Sequence, residues 1–204
     1  MAEQEVPQIY LISPPELDLE TFPDLLARVL DSRAIACFRL ALSSRDEDHV
    51  ARAADAARAV CHERDVAIVV AEHLRMVERL GLDGVHLNGA RGIRDARCDL
   101  GEDAIVGAFC GASRHSGMNA GEAGADYVAF GPVGETALGD GTRAEPDLFA
   151  WWSEVIEVPV VAEGALTPAL VESLAPMTDF FGIGAEIWTG DDPARALSDL
   201  LARL

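Results

Sequence analysis

Short apolar runs recur eight times along this chain, and most are followed by a stretch whose apolar residues return at helical spacing. The runs cover residues 8–13, 35–41, 66–71, 83–87, 104–109, 126–130, 158–163 and 179–184. Between them, helical patterns fall at 21–30, 46–62, 73–80, 147–156, 167–174 and 193–204. A strand followed by a helix and another strand is the signature of a parallel sheet with right-handed crossovers. Eight such units without a second domain predict a closed (β/α)8 TIM barrel. Pro14 and Pro15 end the first strand, and Thr21 is expected to cap the first helix, with Pro23 tolerated in its first turn. Residues 87–104 are short and rich in Gly and Arg, so the fourth helix is expected to be small or irregular. An open doubly wound sheet is the alternative, but no GxGxxG follows the first strand.

The chain is 204 residues long and half hydrophobic, which suits one domain spanning 1–204. Its formal net charge of −19 argues against a nucleic-acid partner, which requires a basic footprint. No apolar run approaches the roughly 20 residues needed to span a bilayer, so no membrane partner and a cytoplasmic location are expected. Cys37, Cys61, Cys98 and Cys110 lack CxxC spacing and are expected to be free thiols. All 16 basic residues are arginine. Without lysine, Schiff-base chemistry through a lysine amine is excluded.

In a barrel, residues just past the strands share one mouth. Those residues here are Arg39, Glu72, His86 with Asn88, Cys110 with Ser113, Thr136, Glu163 with Gly164, and Gly184 with Ala185. Arg39 stands inside an apolar strand, where an unpaired cation is costly, so it is expected to meet a ligand or to pair with Glu72. His86 reads as a hydrogen-bonded core histidine, Cys110 as a small lining residue and His115 as a surface group. After the sixth strand, residues 131–145 carry Gly134, Gly139 and Gly141 beside Thr136 and Thr142. Such a loop suits close backbone approach to a ligand, and equally suits plain solvation. The seventh and eighth strands each end in a small-residue turn opening into a helix, EGALT at 163–167 and GIGAE at 182–186. Their amides are expected to converge on a phosphate held by Gly164, Ala165, Gly184 and Ala185.

DGVHL, GEAGADYVAFGPVGET, VPVVAEGALT and GIGAEIW, in that order over nearly the whole chain, resemble thiamine phosphate synthases and their TenI-like thiazole tautomerase relatives. The resemblance implies a barrel, usually a homodimer. The family's reaction joins an aminopyrimidine methyl diphosphate to a small phosphorylated thiazole with Mg2+, as pyrophosphate leaves a stabilised carbocation. Carried onto this sequence, it makes Arg39, Glu72, Thr136 and His115 the catalytic set, with Glu72 as the metal ligand. His86, Cys110, Ser113 and Glu163 then line the pocket. Three of the family's charged positions are here Ala41, Arg91 and Gly139, which predicts little or no full synthase activity. Arg91, Arg114 or Arg143 would have to replace the missing cations. Two alternatives follow: an isomerase in which His115 or His86 moves a proton on the thiazole ring, and a non-catalytic phosphate-ligand binder with a regulatory role.

Overall fold

A computed structural model describes residues 6–204; residues 1–5 of the expected 1–204 domain lie outside the described residues. Eight parallel strands close in sequence order into a barrel: β1 (Gln8–Ile12), β2 (Cys37–Leu40), β3 (Ala67–Ala71), β4 (Gly84–Leu87), β5 (Ile105–Phe109), β6 (Tyr127–Phe130), β7 (Val160–Glu163) and β8 (Phe180–Ile183). Around it run α1 (Phe22–Ser32), α2 (Glu47–His62), α3 (Leu74–Leu80), α4 (Ile93–Leu100), α5 (Arg114–Glu122), α6 (Pro146–Val155), α7 (Pro168–Leu174), α8 (Ala185–Trp188) and α9 (Pro193–Leu200). β1 pairs with both β2 and β8, so no strand edge is left open.

The (β/α)8 expectation holds, and strand alternation divides the core into two layers. Outward residues such as Leu11, Phe38, Ile68, Val85 and Phe181 pack under the helices. Inward residues Tyr10, Cys37, Val69, Tyr127, Ala129 and Val161 fill the barrel. At the N-terminal end, Asp83, Asp126 and Asp179 each accept a 2.7 Å bond from the amide of Ile68, Val106 and Val160 on the preceding strand. These three carboxylates satisfy backbone donors at the end of a barrel that serves stability.

One local detail differs from expectation. Thr21 sits at the cap position of α1, but its side chain caps nothing; Asp18 Oδ1 accepts from the amides of Glu20 and Thr21 instead. α4 is small, as expected: a regular helix of 8 residues that buries Ile93 and Ala96.

Candidate active site

A cavity of ≈ 280 Å³ opens where the strands end, and Arg39, Thr136, Glu163, Gly164, Ala165 and Gly184 stand on its wall. Arg39 lies in register with Ile12 on β1 and Val69 on β3, on the inward face of β2. It is 6 % exposed, and its charge is met by Glu163, 1 % exposed, through a 2.6 Å bond from Nη2 to Oε2. Burial opposes the guanidinium's charge most, but the Glu163 carboxylate together with Tyr10 and Tyr127 outweighs it, and Arg39 stays protonated.

The same arginine starts a chain of hydrogen bonds across the barrel. Its Nη1 lies 2.6 Å from His86 Nε2, His86 Nδ1 lies 2.8 Å from Tyr127 Oη, and Tyr127 Oη lies 2.5 Å from Tyr10 Oη. Arginine only donates, so His86 Nε2 must accept and the imidazole proton sits on Nδ1. From there Nδ1–H donates to Tyr127 Oη, and the two tyrosine hydroxyls share the next hydrogen bond. Burial first, and the neighbouring Arg39 charge second, push the His86 pKa well below its usual value, so the ring is neutral.

Room for this chain comes from glycines on strands that contribute no polar group to it. A Cβ at Gly107 of β5 would stand 2.0 Å from Tyr127 Cζ, and one at Gly182 of β8 would stand 2.7 Å from Glu163 Cβ. Tyr10 and Tyr127 are among the site-associated residues that sequence reasoning missed, as is Glu186; the two tyrosines share a reason. Each looks like an ordinary aromatic in an apolar strand, and the available signal was an inward tyrosine on the same strand face as a neighbouring Arg or His.

The two small-residue turns lie side by side on the cavity wall. The β7 turn is held by the loop after β6: the amides of Val133 and Gly134 donate to Gly164 O at 3.1 and 2.9 Å. Gly164 has φ +92° and Ala165 φ +54°, a left-handed pair that turns the chain sharply. The amides of Leu166 and Gly184 do not point into empty space. They donate to Glu186 Oε1 at 3.0 Å and Oε2 at 2.8 Å. A carboxylate thus bridges the two turns expected to hold phosphate.

Other expected residues scatter. The Arg39–Glu72 pair is not made: Arg39 pairs with Glu163, while Glu72 is exposed, has φ +63°, and accepts a hydrogen bond from the Asn88 amide. Glu72 lies on a separate depression with Glu47 and Arg75. β3 ends one residue before it, and the left-handed backbone there turns its side chain outward toward the β4 loop. Cys110 and Ser113 line another depression beside Gly139 and Thr142. Burial pushes the Cys110 thiol up to about 12, and Ser113 caps α5 by accepting from the Ser116 amide at 3.1 Å. His115 is exposed on α5 beside Asn119 and lines neither depression nor the cavity. Arg114 stacks over Trp151 at 4.5 Å, and Arg91 lies in a depression with Arg94 and Glu122. Arg39 is therefore the one cation on the cavity wall among the described residues.

For Mg2+, no group of three or more His, Cys, Asp or Glu stands ready among the described residues. Mg2+ is commonly held by one or two carboxylates together with substrate phosphates. Glu72 is the carboxylate that would anchor it, and it lies on a depression separate from the cavity, accepting from the Asn88 amide.

Fold and cavity define a (β/α)8 barrel protein with its candidate site at the C-terminal mouth, where barrel enzymes carry theirs. The family model described as thiamine monophosphate synthase matches residues 9–184. A thiamine-phosphate synthase of Erythrobacter litoralis is 41% identical over 203 residues, covering 95% of this chain and 94% of the relative. One of Rhodospirillum centenum is 39% identical, covering 94% and 95%. In structure, the thiamine phosphate pyrophosphorylase of Pyrococcus furiosus superposes with a TM-score of 0.82 at 20% identity, covering 96% of this chain and 94% of that one. The chain belongs to the thiamine monophosphate synthase family.

Proposed function

We propose that this protein acts in thiamine biosynthesis, binding a phosphorylated thiazole at the barrel mouth and joining it to an aminopyrimidine methyl diphosphate. The observation that carries the reading is identity of 41% with a thiamine-phosphate synthase across 95% of the chain. The cavity supports it: Thr136 and the turns at Gly164–Ala165 and Gly184–Ala185 line one space with Arg39. In this reading Arg39 meets the anionic part of a substrate at the cavity floor, and the turns receive the thiazole phosphate. Mg2+ bound at Glu72 would neutralise charge on the departing diphosphate.

Turnover is expected to be slow. Each lost contact to a leaving pyrophosphate is worth about 3 kcal/mol, or about a hundredfold in rate. Neither Arg91 nor Arg114 lines the cavity, and Arg39 is already paired with Glu163. Nothing in the geometry favours the isomerase, since His115 lies on an exposed helix face and His86 is enclosed between Arg39 and Tyr127. The same reading carries a cytoplasmic homodimer, which sedimentation would test.

The test is steady-state formation of thiamine phosphate from both substrates with Mg2+, alongside complementation of a synthase-deficient strain. Slow but saturable product formation is expected. Failure to bind or turn over the thiazole phosphate would overturn the assignment, and turnover matching that of an ordinary family member would overturn the expected slowness. Gly184→Val should weaken binding of the thiazole phosphate more than it lowers stability, because a Cβ at Gly184 meets Ile12 Cβ at 3.2 Å while crowding the turn itself.

A further inference from the structure

The cavity wall carries one cation and two carboxylates, Arg39 against Glu163 and Glu186. Glu163 is spent on the Arg39 guanidinium. Glu186 holds the amide of Gly184, one of the four residues expected to hold phosphate, and that of Leu166, next to Ala165 in the other turn. We propose that Glu186 is a specificity-determining residue: its carboxylate competes with the phosphoryl group of the ligand for the Leu166 and Gly184 amides, so phosphorylated ligands bind only by displacing it. The proposal rests on the reading that the ligand's phosphate belongs at these turns.

Three observations support it. First, the contact is bidentate and spans two turns 20 residues apart in sequence, with one carboxylate oxygen on each amide. A planar carboxylate there imitates two oxygens of a phosphate, since both are charged acceptors of the same backbone donors. Second, only the side chain is free to leave. Ile187 is fully buried and Trp188 Nε1 donates to Ile12 O at 2.6 Å, which fixes the backbone of α8. Third, Arg39 stands on the same cavity wall as its one cation among the described residues, and its buried Nε has no hydrogen-bond partner there. A cation on the wall favours an anionic ligand independently of the turns.

Displacing Glu186 does not remove its charge. The freed carboxylate stays on α8 beside the incoming dianion, and like charges at such a distance oppose binding. Affinity for a phosphate is therefore a difference between two anions seeking the same donors.

The experiment is calorimetric titration of inorganic phosphate into the wild-type protein and into Glu186→Ala, Glu186→Gln and Asp191→Asn. Asp191 is exposed, lies outside the cavity wall and reports the effect of net charge alone. Glu186→Ala is expected to bind phosphate about tenfold more tightly, since it loses both the competing acceptor and the repulsion. Glu186→Gln should gain less, because its amide oxygen still accepts one N–H, and Asp191→Asn should gain little. In the synthase assay, Glu186→Ala should lower KM for the thiazole phosphate with kcat unchanged, the signature of uniform binding. Thermal unfolding of each variant identifies a folding defect, and Glu186→Gln keeps the test open if the alanine variant is unstable. Measurable phosphate binding that is equal or weaker in folded Glu186→Ala overturns the role of Glu186 and leaves the phosphate site standing. No phosphate binding in any variant overturns both.

Discussion

Arg39 and Glu163 form the pair on which the interior of the mouth depends, because each would otherwise be a lone charge in an apolar barrel. Removing one partner of a buried pair typically costs about 3–5 kcal/mol. Glu163→Leu is thus expected to lower unfolding free energy by about that amount, read from urea denaturation; a loss below 1 kcal/mol would show that solvent reaches Arg39. His86 gives a pH dependence. Its folded pKa lies below that of the unfolded chain, so the unfolded state takes up the proton first as pH falls. Its contribution is present in full above about pH 6.5 and is lost as pH falls from there toward the folded value, by up to about 1.4 kcal/mol per unit. His86→Gln should lack this part of the slope when the two proteins' stabilities are compared between neutral pH and about pH 5. At this scale the sequence was only partly legible. The inward placement of Arg39 and the hydrogen-bonded nature of His86 followed from strand position and burial cost. The partner of Arg39 did not, because residues from β2, β3 and β7 all reach the mouth and only three-dimensional closure brings β7's Glu163 within 2.6 Å.

At the level of elements, the strands were the most readable part, and each lies within a residue or two of its apolar run. Runs of Val, Ile and Ala bounded by Gly, Pro and Asp have few other uses in a parallel sheet. α5 was harder to see, and its sequence, RHSGMNAGE, reads only as a forming helix. Its buried face consists of Gly117 and Ala120, with no large apolar residue to mark a period. That face is small because the layer beneath is large: a Cβ at Gly117 would stand 2.6 Å from Phe130 Cζ and 2.7 Å from Trp152 Cζ3. Gly107 makes the same bargain inside the barrel, so Gly107→Ala should force the Tyr127 ring aside. Overpacking of this kind costs about 1–3 kcal/mol, and a thermal unfolding curve unchanged from wild type would contradict the packing of Tyr127 against β5.

For the whole molecule, closure of the barrel determines what each end does. One end spends Asp83, Asp126 and Asp179 on backbone amides, while the other gathers Arg39, Glu163 and Glu186 around a cavity. The net charge of −19 surrounds that cavity with a field that repels anionic substrates. Raising ionic strength should therefore speed their association up to the point where Arg39 itself is screened, and stopped-flow rates that fall from the lowest salt onward would contradict this. The chain of hydrogen bonds through the barrel has one more consequence. Tyr10 and Tyr127 are the only tyrosines in the sequence, and both are buried, with burial raising each pKa. Their contribution to stability is complete below about pH 10 and declines above it, because the unfolded phenols ionise first. Near-ultraviolet phenolate absorbance in an alkaline titration is thus silent while the barrel is closed. It should rise in one cooperative step with unfolding, making the protein's own tyrosines an optical gauge of whether the barrel is shut.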